Sequence, residues 1–269
     1  MSIVDTNWLE NNLNEVKIID CSWHMPAENR NGENEYKKEH IPNAVFFDLD
    51  KNSKKNINLP HMLPSVDEWN KIVSNLGISN KDRIVIYDNS NVISSCRCWY
   101  NFIYFGHDPK LVSVLDGGLK KWKIENKMTS DSAIKISKSK YIGNELNNLV
   151  KDKKAIDENI FKKQFIIIDA RSRERFEGKV PDPRKNVRSG SIPGSFCLPF
   201  IEVINEDHSF KKASDLKKLF QISLNHNDNP VFSCGSGVTA CVLALAYSLV
   251  NTKYLPVIYD GSWTEYGKI

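Results

Sequence analysis

The chain repeats itself once, and that repetition limits the possible fold more than any local propensity does. The run VKIIDCS, which holds Asp20, returns as FIIIDAR, which holds Asp169, about 150 residues later. HIPNAVFFDLD, starting at His40, returns as SIPGSFCLPF with its Ile-Pro pair in step. RIVIYDNS returns as PVFSCGSG, which sets Asp88 opposite Cys234, and VLDGGLKKW returns as IYDGSWTEY, with Asp116 opposite Asp260. Landmarks that keep both order and spacing imply two copies of one folding unit.

Within each copy the apolar runs are short and unbroken: KIID, RIVIY and VSVLD in the first, FIIID, PVFS and PVIYD in the second. A strand with one solvated face alternates, whereas an unbroken run is covered on both faces, as in a parallel sheet. Helical patterns lie between these runs, at 66–77, 97–106, 216–223 and 238–250. Strands alternating with helices predict an α/β fold class, each copy a central parallel sheet flanked by helices. The stretch 124–148 is polar and lacks a period, so the predicted division is a first domain at 1–123, a linker at 124–148 and a second domain at 149–269.

With 41% hydrophobic and 26% charged residues, the 269-residue chain has enough apolar material for a buried core. Its 37 basic and 33 acidic residues are dispersed, so neither nucleic acid nor a membrane surface is expected as a partner. No apolar run reaches the roughly 20 residues of a membrane span. The opening residues, MSIVDTNWLENNLNEVKIID, show neither a cationic-then-apolar signal nor an Arg-rich amphipathic pattern, and a cytoplasmic location is expected. Cys21, Cys96, Cys98, Cys197, Cys234 and Cys241 are too few for a disulfide scaffold in so long a chain and are expected to be reduced. Cys96 and Cys98 form C-x-C with no second pair nearby, so a structural zinc site is not expected, and no metal or organic cofactor is needed.

Cys234 stands where an apolar strand gives way, across Gly235-Ser236-Gly237, to a helix opening near Val238. Functional groups gather at such junctions of strand carboxyl ends and helix amino ends. The two glycines allow successive N–H groups to converge, and the helix start adds partial positive charge; both favour thiolate over thiol and make Cys234 the candidate nucleophile. Cys197 and Cys241 read as packing, as do Cys96 and Cys98 around Arg97.

Over nearly the whole chain these motifs resemble those of the two-domain rhodanese-type sulfurtransferases. They are HIPNAVFFDLD, HMLPS and LDGGLKKW in the first half, and DAR, RFEGKVPDPR, SIPGS, CGSGVTAC and YDGSW in the second. The resemblance implies an inactive first rhodanese-like domain, with Asp88 where a nucleophile would stand, and a catalytic second one. Members that take thiosulfate resemble C-R-K-G-V-T after the cysteine. The neutral Gly235 and Ser236, followed by Gly237, Val238 and Thr239, resemble instead the C-G-S-G-V-T loop of 3-mercaptopyruvate sulfurtransferases. That likeness implies transfer of sulfur from 3-mercaptopyruvate to a Cys234 persulfide with release of pyruvate, then onward to thioredoxin, a small thiol or cyanide.

The same resemblance assigns Arg175 and Arg184 to the donor's carboxylate and keto oxygen, a task suited to arginine forks, and residues 235–239 to the substrate loop. It also implies a proton relay of Ser236 and His40, with Asn31 standing where relatives commonly carry Arg-Asp. His24, His61 and Trp263 receive no chemistry in this reading, and Arg171, Arg173 and Arg188 are read as surface. Two alternatives remain open: a thiosulfate sulfurtransferase, and a persulfide carrier in a sulfur relay. A phosphatase is disfavoured because Ala240 stands where C-x5-R requires arginine.

Overall fold

In the computed structural model, which describes residues 2–224 and 229–269, the chain divides into two compact units. The first comprises residues up to Lys55, Leu63–Leu146 and Glu206–Ser209; the second comprises Asn56–Met62, Asn147–Asn205 and Phe210–Ile269. Each half of the sequence thus lends a short segment to the unit built by the other half. The stretch 124–148 is irregular over most of its length, and up to Leu146 it belongs to the first unit. Tyr141 anchors it there, buried and stacked on His107 at 5.7 Å, and Ile142 exchanges backbone hydrogen bonds with the Asn80 amide.

The strands of the first unit are β1 (Ile3–Val4), β2 (Lys17–Asp20), β3 (Ala44–Phe46), β4 (Ile84–Tyr87) and β5 (Val112–Leu115), paired in the order β1-β5-β4-β2-β3. Those of the second are β6 (Val150–Lys151), β7 (Ile166–Asp169), β8 (Phe196–Cys197), β9 (Pro230–Ser233) and β10 (Ile258–Tyr259), paired β6-β10-β9-β7-β8. Every pairing is parallel. The two orders are the same once the repeat is superposed. The unbroken apolar runs are central strands: β4 and β9 are buried at every residue.

The helices are α1 (Thr6–Asn11), α2 (Gly32–Lys38), α3 (Val66–Asn75), α4 (Ser95–Tyr104) and α5 (Gly118–Ile124) from the first half, and α6 (Lys153–Lys162), α7 (Arg173–Phe176), α8 (Ala213–Gln221), α9 (Thr239–Ser248) and α10 (Ser262–Tyr266) from the second. Helix α3 starts at a capping box, Ser65 with Glu68, and buries Trp69 and Val73 while its polar residues face outward. Helix α9 is apolar all round and buried from Ala240 to Tyr247. Such a helix is fixed on every side, at roughly 1.5–3 kcal/mol for each large apolar side chain removed from water, which gives the loop before it a rigid support.

The repeat is not symmetric in its charges. In the second unit the Asp169 carboxylate is bound by the Arg171 guanidinium at 2.7 Å, and Arg171 also donates to the Gly190 carbonyl and lies over the Trp263 ring. Arg171 is therefore buried, correcting the surface reading. In the first unit Ser22 occupies the matching place, and Asp20 receives only the Ser22 amide and neutral side chains. Burial without a cation pushes the Asp20 carboxyl up to about 7.

Candidate active site

Strand β9 ends at Ser233, and Cys234 follows it, 2% exposed. The loop that begins there is held from one side by α10. The Trp263 amide donates to the Cys234 carbonyl at 2.9 Å, and the Thr264 amide and hydroxyl both donate to the Gly235 carbonyl. These are first-turn amides of α10, which would otherwise lack partners. The peptide bonds are trans, so the N–H groups of Gly235 and Ser236 point opposite to those carbonyls, away from α10. The Cys234 amide itself donates to Ser262 Oγ at 3.1 Å, and Ser262 Oγ donates to the Tyr259 carbonyl. Ser262 adopts φ 49°, a left-handed conformation rare for serine, held by these two bonds.

Gly237 takes φ 78°, where a side chain would be strained, and turns the chain into Val238, the cap of α9, and Thr239, its first residue. The loop therefore meets the positive end of a ten-residue buried helix. Cys241 lies one turn in and donates its S–H to the Gly237 carbonyl at 3.2 Å, a packing role that also steadies the loop.

Arg175 leaves the end of α7, and Arg184 follows the loop Pro181-Asp182-Pro183. A Cβ added to Gly235 would sit 3.1 Å from Arg184 Nη1 and 3.5 Å from Arg175 Nη2. Both guanidiniums thus close directly over the glycine beside Cys234. Asp182, its side chain buried, holds them: Oδ2 accepts from Arg175 Nη2 at 2.7 Å, and Oδ1 accepts from the Arg184 amide at 3.0 Å. Arg184 Nη2 donates to Ser236 Oγ at 3.2 Å.

Ser236 Oγ also lies 2.9 Å from His61 Nδ1. With Arg184 donating to one lone pair of Oγ, the hydroxyl proton is free to point at Nδ1 in the tautomer that carries its proton on Nε2. His61 sits at φ 61° in the segment that the first half lends to this unit. The histidine beside Ser236 is therefore His61, where the sequence reading expected His40. His40 belongs to the first unit, stacked on Tyr36 at 4.3 Å with Nδ1 at the Tyr36 carbonyl and its backbone paired with Ser130. Asn31 is the N-cap of α2 and accepts the Asn34 amide. The structure so brings together Cys234, Gly235, Ser236, Gly237, Val238, Thr239, Arg175 and Arg184, and adds His61, Asp182, Ser262 and Thr264.

Two of the other thiols, Cys197 and Cys21, are ill suited to attack. Burial beside carboxylates pushes Cys197 up to about 11, so it is protonated at neutral pH. Burial against Cys98 raises Cys21 well above the usual range. In the first unit Asp88 fills its own loop: its carboxylate accepts the amides of Ser90 and Ser95, each at 2.8 Å. These loop amides are thus taken up by the chain's own carboxylate. Among the described residues no group of three His, Cys, Asp or Glu side chains is arranged to hold a metal ion, and no helix is long and apolar enough to cross a membrane.

The pattern for a Rhodanese-like domain matches this chain twice, at residues 5–125 and 148–268. The chain belongs to the rhodanese family. Among similar family members, thiosulfate/3-mercaptopyruvate sulfurtransferase 1, mitochondrial, from Arabidopsis thaliana is 40% identical over 98% of this chain and 75% of its own length. The 3-mercaptopyruvate sulfurtransferase of Rattus norvegicus is 34% identical over 98% of this chain and 91% of its own. The crystal structure of SseA from Escherichia coli, described as a 3-mercaptopyruvate sulfotransferase, superposes with a TM-score of 0.87 at 30% identity, covering 98% of this chain and 99% of that one. The tandem rhodanese architecture extends through the whole of this chain.

Proposed function

We propose that this rhodanese is a sulfurtransferase that takes sulfur from 3-mercaptopyruvate onto Cys234 and passes it to a thiol acceptor. The observation that carries the reading is the pair of guanidiniums from Arg175 and Arg184 lying over Gly235, the residue beside Cys234, with Arg184 bonded to the Ser236 hydroxyl that also meets His61. A donor whose carboxylate and keto oxygen engage those arginines would hold its sulfur near Cys234, and charge-assisted pairs of this kind are strong and directional.

In the first half-reaction the Cys234 thiolate attacks the donor sulfur. The new Sγ–S bond forms as the donor's C–S bond breaks, and that electron pair leaves on carbon as the enolate of pyruvate. The enolate takes a proton, for which Ser236 and His61 form the nearest hydrogen-bonded path. The outer sulfur of the persulfide is stabilised by the loop N–H groups that α10 orients, together with the α9 amino end. In the second half-reaction an acceptor thiolate, on a small thiol or thioredoxin, attacks the outer sulfur and returns Cys234 as thiolate; cyanide would leave as thiocyanate. Such alternation gives ping-pong kinetics.

Asp88, with its own loop closed around it, is assigned no turnover, so one site per chain is expected. The cytoplasm fits the six free cysteines as a reducing compartment. Thiosulfate is the competing donor, since the arginines also suit a sulfonate. Steady-state kinetics with both donors tests the reading. The larger kcat/KM belongs to 3-mercaptopyruvate, and Arg175→Ala or Arg184→Ala raises its KM by about tenfold or more, a loss of about 1.4 kcal/mol in binding. An unchanged KM in both variants excludes the clamp.

A further inference from the structure

We infer that Asp182 is a specificity-determining positioning residue, one that sets the charge of the arginine clamp to suit a singly charged donor. The inference deepens the proposed sulfurtransferase reading and rests on its assignment of the two arginines. Asp182 is where the two arginines meet. Its side chain is 1% exposed, against 23% for Arg175 and 27% for Arg184, so its charge is shielded from water more than theirs are. One carboxylate against two guanidiniums leaves a single net positive charge above Gly235. 3-Mercaptopyruvate with its thiol protonated carries one negative charge, and thiosulfate carries two.

The geometry supports a second part of the argument. Asp182 Oδ2 engages Nη2 of Arg175 at 2.7 Å, whereas Arg175 Nε is buried and has no hydrogen-bond partner. Oδ1 receives the Arg184 amide at 3.0 Å and lies 3.5 Å from Arg184 Nη1, which leaves Arg184 Nη2 for Ser236. The carboxylate therefore occupies one donor of the Arg175 fork and holds Arg184 through its backbone amide, with the Arg184 guanidinium at ion-pair distance. An orphaned buried N–H is costly unless a ligand fills it, and an oxygen of the donor would do so. A dianion placed there would feel the Asp182 charge at close range in a partly desolvated site, where Coulomb interactions exceed their strength in water.

The test compares kcat/KM for 3-mercaptopyruvate and for thiosulfate in the wild type, Asp182→Asn, Asp182→Glu and Arg175→Ala. Loss of positioning alone lowers both donors together and leaves their ratio unmoved. Loss of the charge favours the dianion, so Asp182→Asn raises the thiosulfate-to-mercaptopyruvate ratio by about tenfold or more, while Asp182→Glu keeps it within about threefold of wild type. An unmoved ratio in Asp182→Asn overturns the inference, as does an equal shift in Asp182→Glu. Should Asp182→Asn not fold, wild-type inhibition decides: pyruvate, a monoanion, inhibits at lower concentration than oxalate, a dianion of similar size, and the reverse order overturns the inference. Arg175→Ala reports on the underlying reading separately. If it leaves the KM for 3-mercaptopyruvate unchanged, the clamp itself fails, whatever the Asp182 ratio.

Discussion

Gly235→Ala is the smallest change that reaches the candidate site, and its effect can be worked from the structure. The added Cβ would lie 3.1 Å from Arg184 Nη1, 3.4 Å from Arg184 Nη2 and 3.5 Å from Arg175 Nη2. The first distance is tighter than an ordinary contact, so the Arg184 guanidinium must retreat by a few tenths of an ångström while Arg175 stays almost in place. Gly235 is not among the positive-φ glycines, so alanine brings no backbone strain there. Both arginines are partly exposed and can yield. The expected cost therefore falls on ligand binding and spares the fold. Hydrogen bonds to charged groups contribute about 1.5–3 kcal/mol. Misaligning one of them by this distance forfeits roughly 1 kcal/mol, or about a fivefold rise in KM for 3-mercaptopyruvate. Steady-state kinetics and a thermal melt on the same preparation check both halves, with the melting temperature expected to move by less than about 3 °C. An unchanged KM would refute the reasoning. So would a loss of activity that merely tracks a fall in melting temperature.

His61→Gln is expected to lower kcat by about a hundredfold or more, the usual scale for losing a positioned acid–base group; His40→Gln should instead act on stability, because that ring packs under Tyr36, and the opposite pattern in kinetics and melting would return the relay to His40. Asp20 supplies a pH prediction. Its folded pKa of about 7 lies above the unfolded carboxylate value, so its contribution to stability is full below about pH 4 and is lost as pH rises through 7, by up to a few kcal/mol. Asp20→Asn should flatten that decline in urea unfolding between pH 4 and 8, and parallel curves for the two proteins would contradict it.

The fold was readable because the duplication and the unbroken apolar runs are both dictated by parallel-sheet burial; β2, β4, β5, β7, β9 and β10 all fall on such runs. The missed edge strands β1, β3, β6 and β8 have two or three residues each and carry no period. Cys234 and its glycines were legible because a strand-to-helix junction needs small residues. The histidine was not. His40 and His61 both precede or follow proline-containing turns in the sequence, and only the crossing of residues 56–62 into the second unit distinguishes them. His61 and His208, one in each exchanged segment, both take a left-handed φ. Asp182 was hidden for another reason: an acid between two arginines reads as a surface pair until its side chain is found buried.

The central claim is that one sulfur atom, that of Cys234, accepts a second. Intact-protein and peptide mass spectrometry after brief incubation with 3-mercaptopyruvate, with pyruvate measured in the same sample, addresses it directly. The account predicts a gain of one sulfur on the peptide that holds Cys234, one pyruvate released per sulfur gained, and neither in Cys234→Ser. Pyruvate released with the added sulfur on another cysteine, or an adduct that persists in Cys234→Ser, would contradict it.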